Sequence, residues 1–220
     1  MLKNRKLKGF TLAEVLITLT IIGVISAITL PALQNNVNTT AMEKQTSKFY
    51  SQLQEMVDRY KSINGIDQID SDIRSEANLR KYFKIKSKCA TKTDCFASTY
   101  YSVRDLSKTY SLDDMSKTGN VSASDPDAAT YLLADGTTFG INGHNIVFFD
   151  INGPKKPNKV GYDMWVAQIS DDGNIDGYGC NDSTTKTTIA TDLEKCLKGE
   201  TGKYTGCFGH FVRNGFKFDY

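Results

Sequence analysis

The hydrophobic pattern of the chain changes character three times. Residues 10 to 33, FTLAEVLITLTIIGVISAITLPAL, are apolar apart from one ionisable group, Glu14, and Val15 to Leu33 is a run of 19 uncharged residues. At about 1.5 Å rise per residue this run reaches roughly 28 Å as a helix, close to the ~30 Å hydrocarbon thickness of a bilayer. Beyond Leu33 the apolar positions thin to a stripe. Met42, Phe49, Leu53, Met56, Val57, Tyr60 and Ile63 recur at three- and four-residue steps, with Lys44, Lys48, Glu55, Asp58 and Lys61 between them. Asn64-Gly65 supplies a stop, glycine being favoured just past a helix end. The pattern predicts one helix from about residue 10 to about residue 64, roughly 80 Å long, apolar all round in its first half and on one face in its second. Pro31 lacks a backbone donor and Gly23 weakens helix propensity, so bending or local melting is expected between them.

Residues 65 to 129 are polar and rich in Ser, Thr, Asp and Lys, and read as a connecting region with a short helix over Ser75 to Phe83. From 130 to 179 a two-residue alternation takes over. TYLLADGTTFGI turns at Asp135-Gly136, NIVFFD follows, and DMWVAQISDDGNI turns at Asp172-Gly173, the signature of antiparallel strands. A sheet with one apolar face would cover the stripe on the helix. The segment from 180 to 220 carries three cysteines, a short helical pattern in TIATDLEKCL, and an aromatic tail, CFGHFVRNGFKFDY, expected to dock onto the domain.

Composition narrows the function more by exclusion than by suggestion. Across 220 residues, 27 Lys and Arg stand against 25 Asp and Glu, a formal charge of +2, so no global basic excess points to nucleic acid. His144 and His210 are the only histidines, and no C-x-x-C, H-E-x-x-H or G-x-x-x-x-G-K-[ST] occurs. No enzyme signature is visible, and the chain reads as a non-enzyme. Residues 1 to 9, MLKNRKLKG, hold Lys3, Arg5, Lys6 and Lys8 and no acid. A basic flank before an apolar span stays cytoplasmic, which places the C-terminal bulk outside the cytoplasm.

A carboxylate inside a span costs about 2.5 to 3.5 kcal/mol on insertion scales; taken alone, Glu14, one turn into the span, reads first as a group that snorkels to the interface and second as a mark of function. The string GFTLAEVLITLTIIGVISAITLPAL, with Gly9, Phe10, Glu14 and Pro31, resembles the cleavage and methylation segment of type IV pilins and type II secretion pseudopilins. The resemblance implies a leader at 1–9, a membrane and assembly helix at 10–33 and its amphipathic continuation at 34–64. It implies an α+β fold, a long N-terminal helix packed on an antiparallel β-sheet in a pilin-like roll. It further implies a prepilin peptidase and N-methyltransferase that cuts between Gly9 and Phe10 and methylates Phe10. Other pilin subunits in a helical filament and an inner-membrane assembly platform would be the remaining partners. The protein would begin as a single-pass inner-membrane protein and end in a cell-surface pilus or a periplasmic pseudopilus. Glu14 of one subunit would pair with the Phe10 ammonium of its neighbour, and removal of the leader would take the formal charge from +2 to −2.

Three further clusters invite a chemical reading. Cys89 and Cys95 lie six apart in a turn-rich segment, which favours a local bridge, whereas Cys180, Cys196 and Cys207 leave one thiol over and their pairing open. DINGPKKPNKVGYD offers Asp150, Asn152, Asn158 and Asp163 as oxygen donors. Pro154 stands where an EF-hand needs a ligand, so a turn built from Asp, Asn, Gly and Pro is the leading reading, with calcium as the alternative and no other cofactor implied. LRKYFKIKSK sets Arg80, Lys81, Lys84, Lys86 and Lys88 beside Tyr82 and Phe83. Such a mixture is a solvated face first and a surface for single-stranded DNA second, as in a minor, tip-located binding subunit.

Overall fold

The computed structural model describes residues 10–102, 109–111, 129–177 and 207–219, with the backbone alone at 31–37 and 111. The chain divides into two compact units, Met1–Ala41 and Met42–Tyr220, and the division falls inside helix α1, Leu12–Asn64. The backbone of α1 is helical through Gly23 and Pro31, so the interruption expected there is not found. One missing donor removes one rung of a ladder 53 residues long, and the rungs on either side persist.

In the C-terminal unit the stripe on α1 builds the core. Phe49, Leu53, Met56, Val57 and Tyr60 are buried and Met42 packs at the margin, whereas Ile63 is exposed. Tyr60 fills the core position of the last turns and donates its hydroxyl to Asp70 at 2.5 Å, leaving Ile63 on the outer side. Asp70 accepts from the Asp72 amide and caps a 3-10 turn, Ser71–Arg74. Ser75 caps helix α2, Glu76–Tyr82, and Phe83 follows it, matching the expected short helix between those two residues.

The strands are β1 Ile85–Lys88, β2 Thr99–Ser102, β3 Thr109–Ser111, β4 Thr130–Leu133, β5 Thr138–Ile141, β6 Ile146–Asp150, β7 Lys159–Val160, β8 Met164–Ile169 and β9 Ile175–Gly177. They form one sheet in the order β1-β4-β5-β6-β8-β7-β2-β3, with β9 on β8. Asp135-Gly136 joins β4 to β5 and Asp172-Gly173 joins β8 to β9, both antiparallel as expected. Two expectations are corrected. The sheet is mixed, because β7 runs parallel to β2 and to β8. The region 65–129 also supplies β1, β2 and β3, whose polar sequences IKSK, TYYS and TYS hide their pairing.

The central strands are buried on both faces. In β6 and β8, Val147, Phe149, Trp165, Ala167 and Ile169 face the α1 core, while Ile146, Phe148, Met164 and Val166 join Phe96, Tyr100 and Val160 in a second cluster. The segment 95–100 therefore covers a second apolar face of the sheet, where only one was expected. Helix α3, Cys207–Arg213, closes the first core: Phe208 and Phe211 are buried against Trp165, and Glu43 on α1 accepts from Lys217 Nζ at 2.6 Å and the Phe218 amide at 3.1 Å. The expected docking of the aromatic tail is present.

Candidate functional site: the N-terminal assembly segment

Phe10 precedes the helix and is 88% exposed, and the first turn of α1 is closed by its own side chains. Glu14 Oε2 accepts from the Thr11 amide and the Thr11 hydroxyl, each at 2.8 Å, and Thr11 Oγ1 accepts from the Glu14 amide at 3.3 Å. Thr11 and Glu14 thus form a capping box, each satisfying a donor that the first turn leaves without an intrahelical partner. The acidic residue also lies at the positive end of the helix dipole. The Thr-x-x-Glu spacing at 11–14 is legible in the sequence, yet sequence reasoning assigned Glu14 an intermolecular partner and passed over the local one.

The rest of the segment suits an apolar medium. Leu12–Leu30 is long and apolar enough to cross a membrane, with a mean hydropathy of 2.2 and none of it buried within the chain. Its three threonine hydroxyls are satisfied internally: Thr18 donates to the Val15 carbonyl at 2.9 Å, Thr20 to that of Leu16 at 2.8 Å and Thr29 to that of Ile25 at 2.9 Å. In lipid, where water supplies no partners, such back-bonding removes the penalty of a bare hydroxyl. Leu16, Ile17, Leu19, Ile21, Ile22, Val24, Ile25 and Ile28 project on all sides. The segment therefore presents an apolar cylinder with one carboxylate at its start. Gly9, the expected cleavage position, lies outside the described residues, and at Pro31 the backbone alone is described.

The other sequence-derived sites resolve as follows. Cys89 and Cys95 form a disulfide with Cα atoms 6.1 Å apart. Cys207 is also disulfide-bonded, while Cys180 and Cys196 lie outside the described residues. The basic segment does not form one patch of free cations. Arg80 and Lys88 both reach Glu76, at 2.7 and 3.3 Å, and Lys81 donates to Asn78 Oδ1 at 2.7 Å. Lys84 and Lys86 flank the start of β1.

Asp150, Asn152, Asn158 and Asp163 come together in the β6–β8 connection, with both carboxylates wholly buried. Asp150 accepts from the Tyr100 hydroxyl at 2.7 Å and the Asn152 amide at 3.0 Å. Asp163 accepts from the amides of Asn158 at 2.7 Å and Lys159 at 2.5 Å. Desolvation first, and then the Asp163 charge, push the Asp150 carboxyl well above its ordinary range. Desolvation pushes Asp163 up to about 6, against the amides that favour its ionised form. Asn152 donates its side-chain amide to the Lys156 carbonyl and Asn158 to that of Pro154, and the Oδ1 atoms of both are buried without a donor. Among the described residues no three His, Cys, Asp or Glu side chains gather as a metal site. Sequence reasoning missed the tie to Tyr100, which is 50 residues distant in the chain and carries no local signal.

No curated protein and no solved structure matches the chain. Residues 4–30 match the prokaryotic N-terminal methylation motif, a span that includes Gly9, Phe10 and Glu14, so the chain carries the N-terminal signal of type IV pilins and pseudopilins.

Proposed function

We propose that the chain is a structural subunit of a type IV pilus or type II secretion pseudopilus. It is cut between Gly9 and Phe10, N-methylated on Phe10, and assembled through α1 with its C-terminal unit outside the cytoplasm. The observation that supports this reading is the single carboxylate of the span, Glu14, four residues from the amine that cleavage would create, on a helix whose threonine hydroxyls in the span already bond to its own backbone. A second charge is thereby supplied where a lone one would be costly. The experiment is mass spectrometry of the mature N-terminus, on protein from the membrane fraction and from sheared surface or periplasmic filaments. A chain beginning at methylated Phe10 is expected in both, with Gly9→Val accumulating at the uncut mass. An intact Met1 terminus, or cleavage beyond Leu33 with loss of the span, overturns the assignment.

A second reading concerns the β6–β8 connection. We propose that it accepts a Ca²⁺ ion, held by Asp150, Asp163 and the side-chain oxygens of Asn152 and Asn158. The donor set is all oxygen, as calcium prefers, and the two buried amide oxygens without donors are the observation in favour. Tb³⁺ in place of Ca²⁺ should emit when tyrosine is excited, because Tyr100 donates directly to Asp150. Emission that is absent, or that survives Asn152→Ala with Asn158→Ala, refutes the site.

A further inference from the structure

A cleft of about 930 Å³ opens between the segment that carries Thr93, Ser98, Thr99 and Tyr101 and the turn that carries Lys156 and Lys159. Its size falls among small-ligand sites, which run from about 300 to 1,000 Å³. We propose that this cleft binds an acidic saccharide, stacking a sugar ring on Tyr101 and pairing its anionic group with Lys156 and Lys159.

Three observations carry the assignment. Among the described residues of the C-terminal unit beyond α1, Tyr101 is the only large apolar side chain that is exposed, at 40%, and it is exposed inside the cleft. Aromatic faces offer apolar area at small loss of conformational freedom, and the axial C–H groups of a sugar ring match them. Around that ring stand the hydroxyls of Thr93, Ser98 and Thr99, complements for sugar hydroxyls. The lining includes two lysines and no carboxylate, so the cleft is electropositive although the chain as a whole is near neutral. A neutral sugar leaves those cations unused.

Both walls are also fixed before any ligand arrives. On one side Cys89–Cys95 ties the loop that carries Thr93, and Tyr100 fastens the Ala97 amide, at 3.1 Å, to buried Asp150. On the other, buried Asp163 holds the amides of Asn158 and Lys159. Spending two buried carboxylates on backbone amides rigidifies the rim, and a rigid rim reduces the ordering cost of binding. Strand addition by a peptide is not available at this place, since β2 is paired by β3 on one side and β7 on the other. The cleft is separate from the basic segment 80–88, whose Arg80 and Lys88 are occupied by Glu76.

The test titrates the full-length protein in detergent micelles with tetragalacturonate, maltotetraose and a single-stranded oligonucleotide of matching charge, followed by calorimetry. Tetragalacturonate should bind, more weakly as salt rises, and maltotetraose should bind at least about tenfold more weakly. Tyr101→Ala, and separately Lys156→Gln with Lys159→Gln, should each weaken tetragalacturonate about tenfold or more. These side chains reach the surface, and unchanged circular dichroism and melting will show that the fold is kept. No binding of tetragalacturonate, binding indifferent to the substitutions, or equal binding of the oligonucleotide through the same residues overturns the proposal.

Discussion

The Tyr100 hydroxyl joins two segments that are far apart in sequence. It donates to Asp150 at the end of β6 and accepts from the Ala97 amide, while its ring fills the second cluster. Burial, followed by the Asp150 charge, raises the Tyr100 pKa far beyond its ordinary value, so the phenol stays neutral and remains a donor at every physiological pH. Tyr100→Phe keeps the ring and deletes the link, leaving a buried carboxylate and a buried amide each short of one partner. The expected loss is about 1–3 kcal/mol, a fall of several degrees in melting temperature, with the far-UV spectrum unchanged. A melting temperature within a degree of wild type would show that water replaces the hydroxyl. Nothing in TYYS distinguishes Tyr100 from Tyr101, of which one anchors the core and the other lies open in the cleft. Alternation assigns them to opposite faces, but which face is inward depends on strands that arrive 45 or more residues later.

At the scale of elements, legibility follows how local the decisive contacts are. The α1 stripe from Phe49 to Tyr60, the short helix between Ser75 and Phe83 and the two Asp-Gly hairpins are set by residues within a few positions of each other, and each stands where the pattern placed it. The strands β1 to β3 pair with partners 40 or more residues distant, or through short polar runs, and their sequences carried no such signal. The burial of β6 and β8 on both faces is visible in retrospect as continuous apolar runs, IVFF and MWVA, of the kind that two-sided cover requires. The connection between those strands has a pH signature. An acid whose folded pKa is raised binds a proton in the folded chain at a pH where the unfolded chain has released it, so folding is favoured as pH falls. Asp163, raised to about 6, and Asp150, raised well above its ordinary range, should make the metal-free protein more stable at pH 5 than at pH 7. Asp70, Glu76, Asp135 and Asp172 are lowered and remain ionised across that window, so they do not mask the trend. Denaturant midpoints in EDTA should show it, and Asp163→Asn should flatten it. A slope identical in wild type and variant would mean that Asp163 is ionised in the folded chain at pH 5.

For the molecule as a whole, the capping box turns Glu14 into a group with two competing partners. In the separate chain its carboxylate is held by Thr11 of the same helix. In a filament of the proposed kind the Phe10 ammonium of a neighbour would compete for the same oxygens, and a charge-assisted contact in an apolar medium outweighs a neutral hydroxyl. Glu14→Gln keeps the side chain's length and leaves a carbonyl that still accepts from Thr11, so membrane insertion, the helix start and the C-terminal unit should be unchanged. Only the charge pairing is lost, and each neighbour's ammonium would then be buried alone at a cost of several kcal/mol. A helical assembly repeats that loss at every subunit contact, so incorporation should fall steeply rather than in proportion to one weakened bond. Thr11→Val supplies the opposite control, since it removes the hydroxyl that competes for Glu14 and leaves both charges in place. With each variant co-expressed beside tagged wild type, processed Glu14→Gln should remain in the inner membrane and be depleted from sheared filaments by tenfold or more, on the order of one decimal step in an equilibrium constant per ~1.4 kcal/mol. Thr11→Val should incorporate as well as wild type. Equal incorporation of Glu14→Gln would leave its carboxylate with the capping role alone and remove the charge pair from the assembly contact.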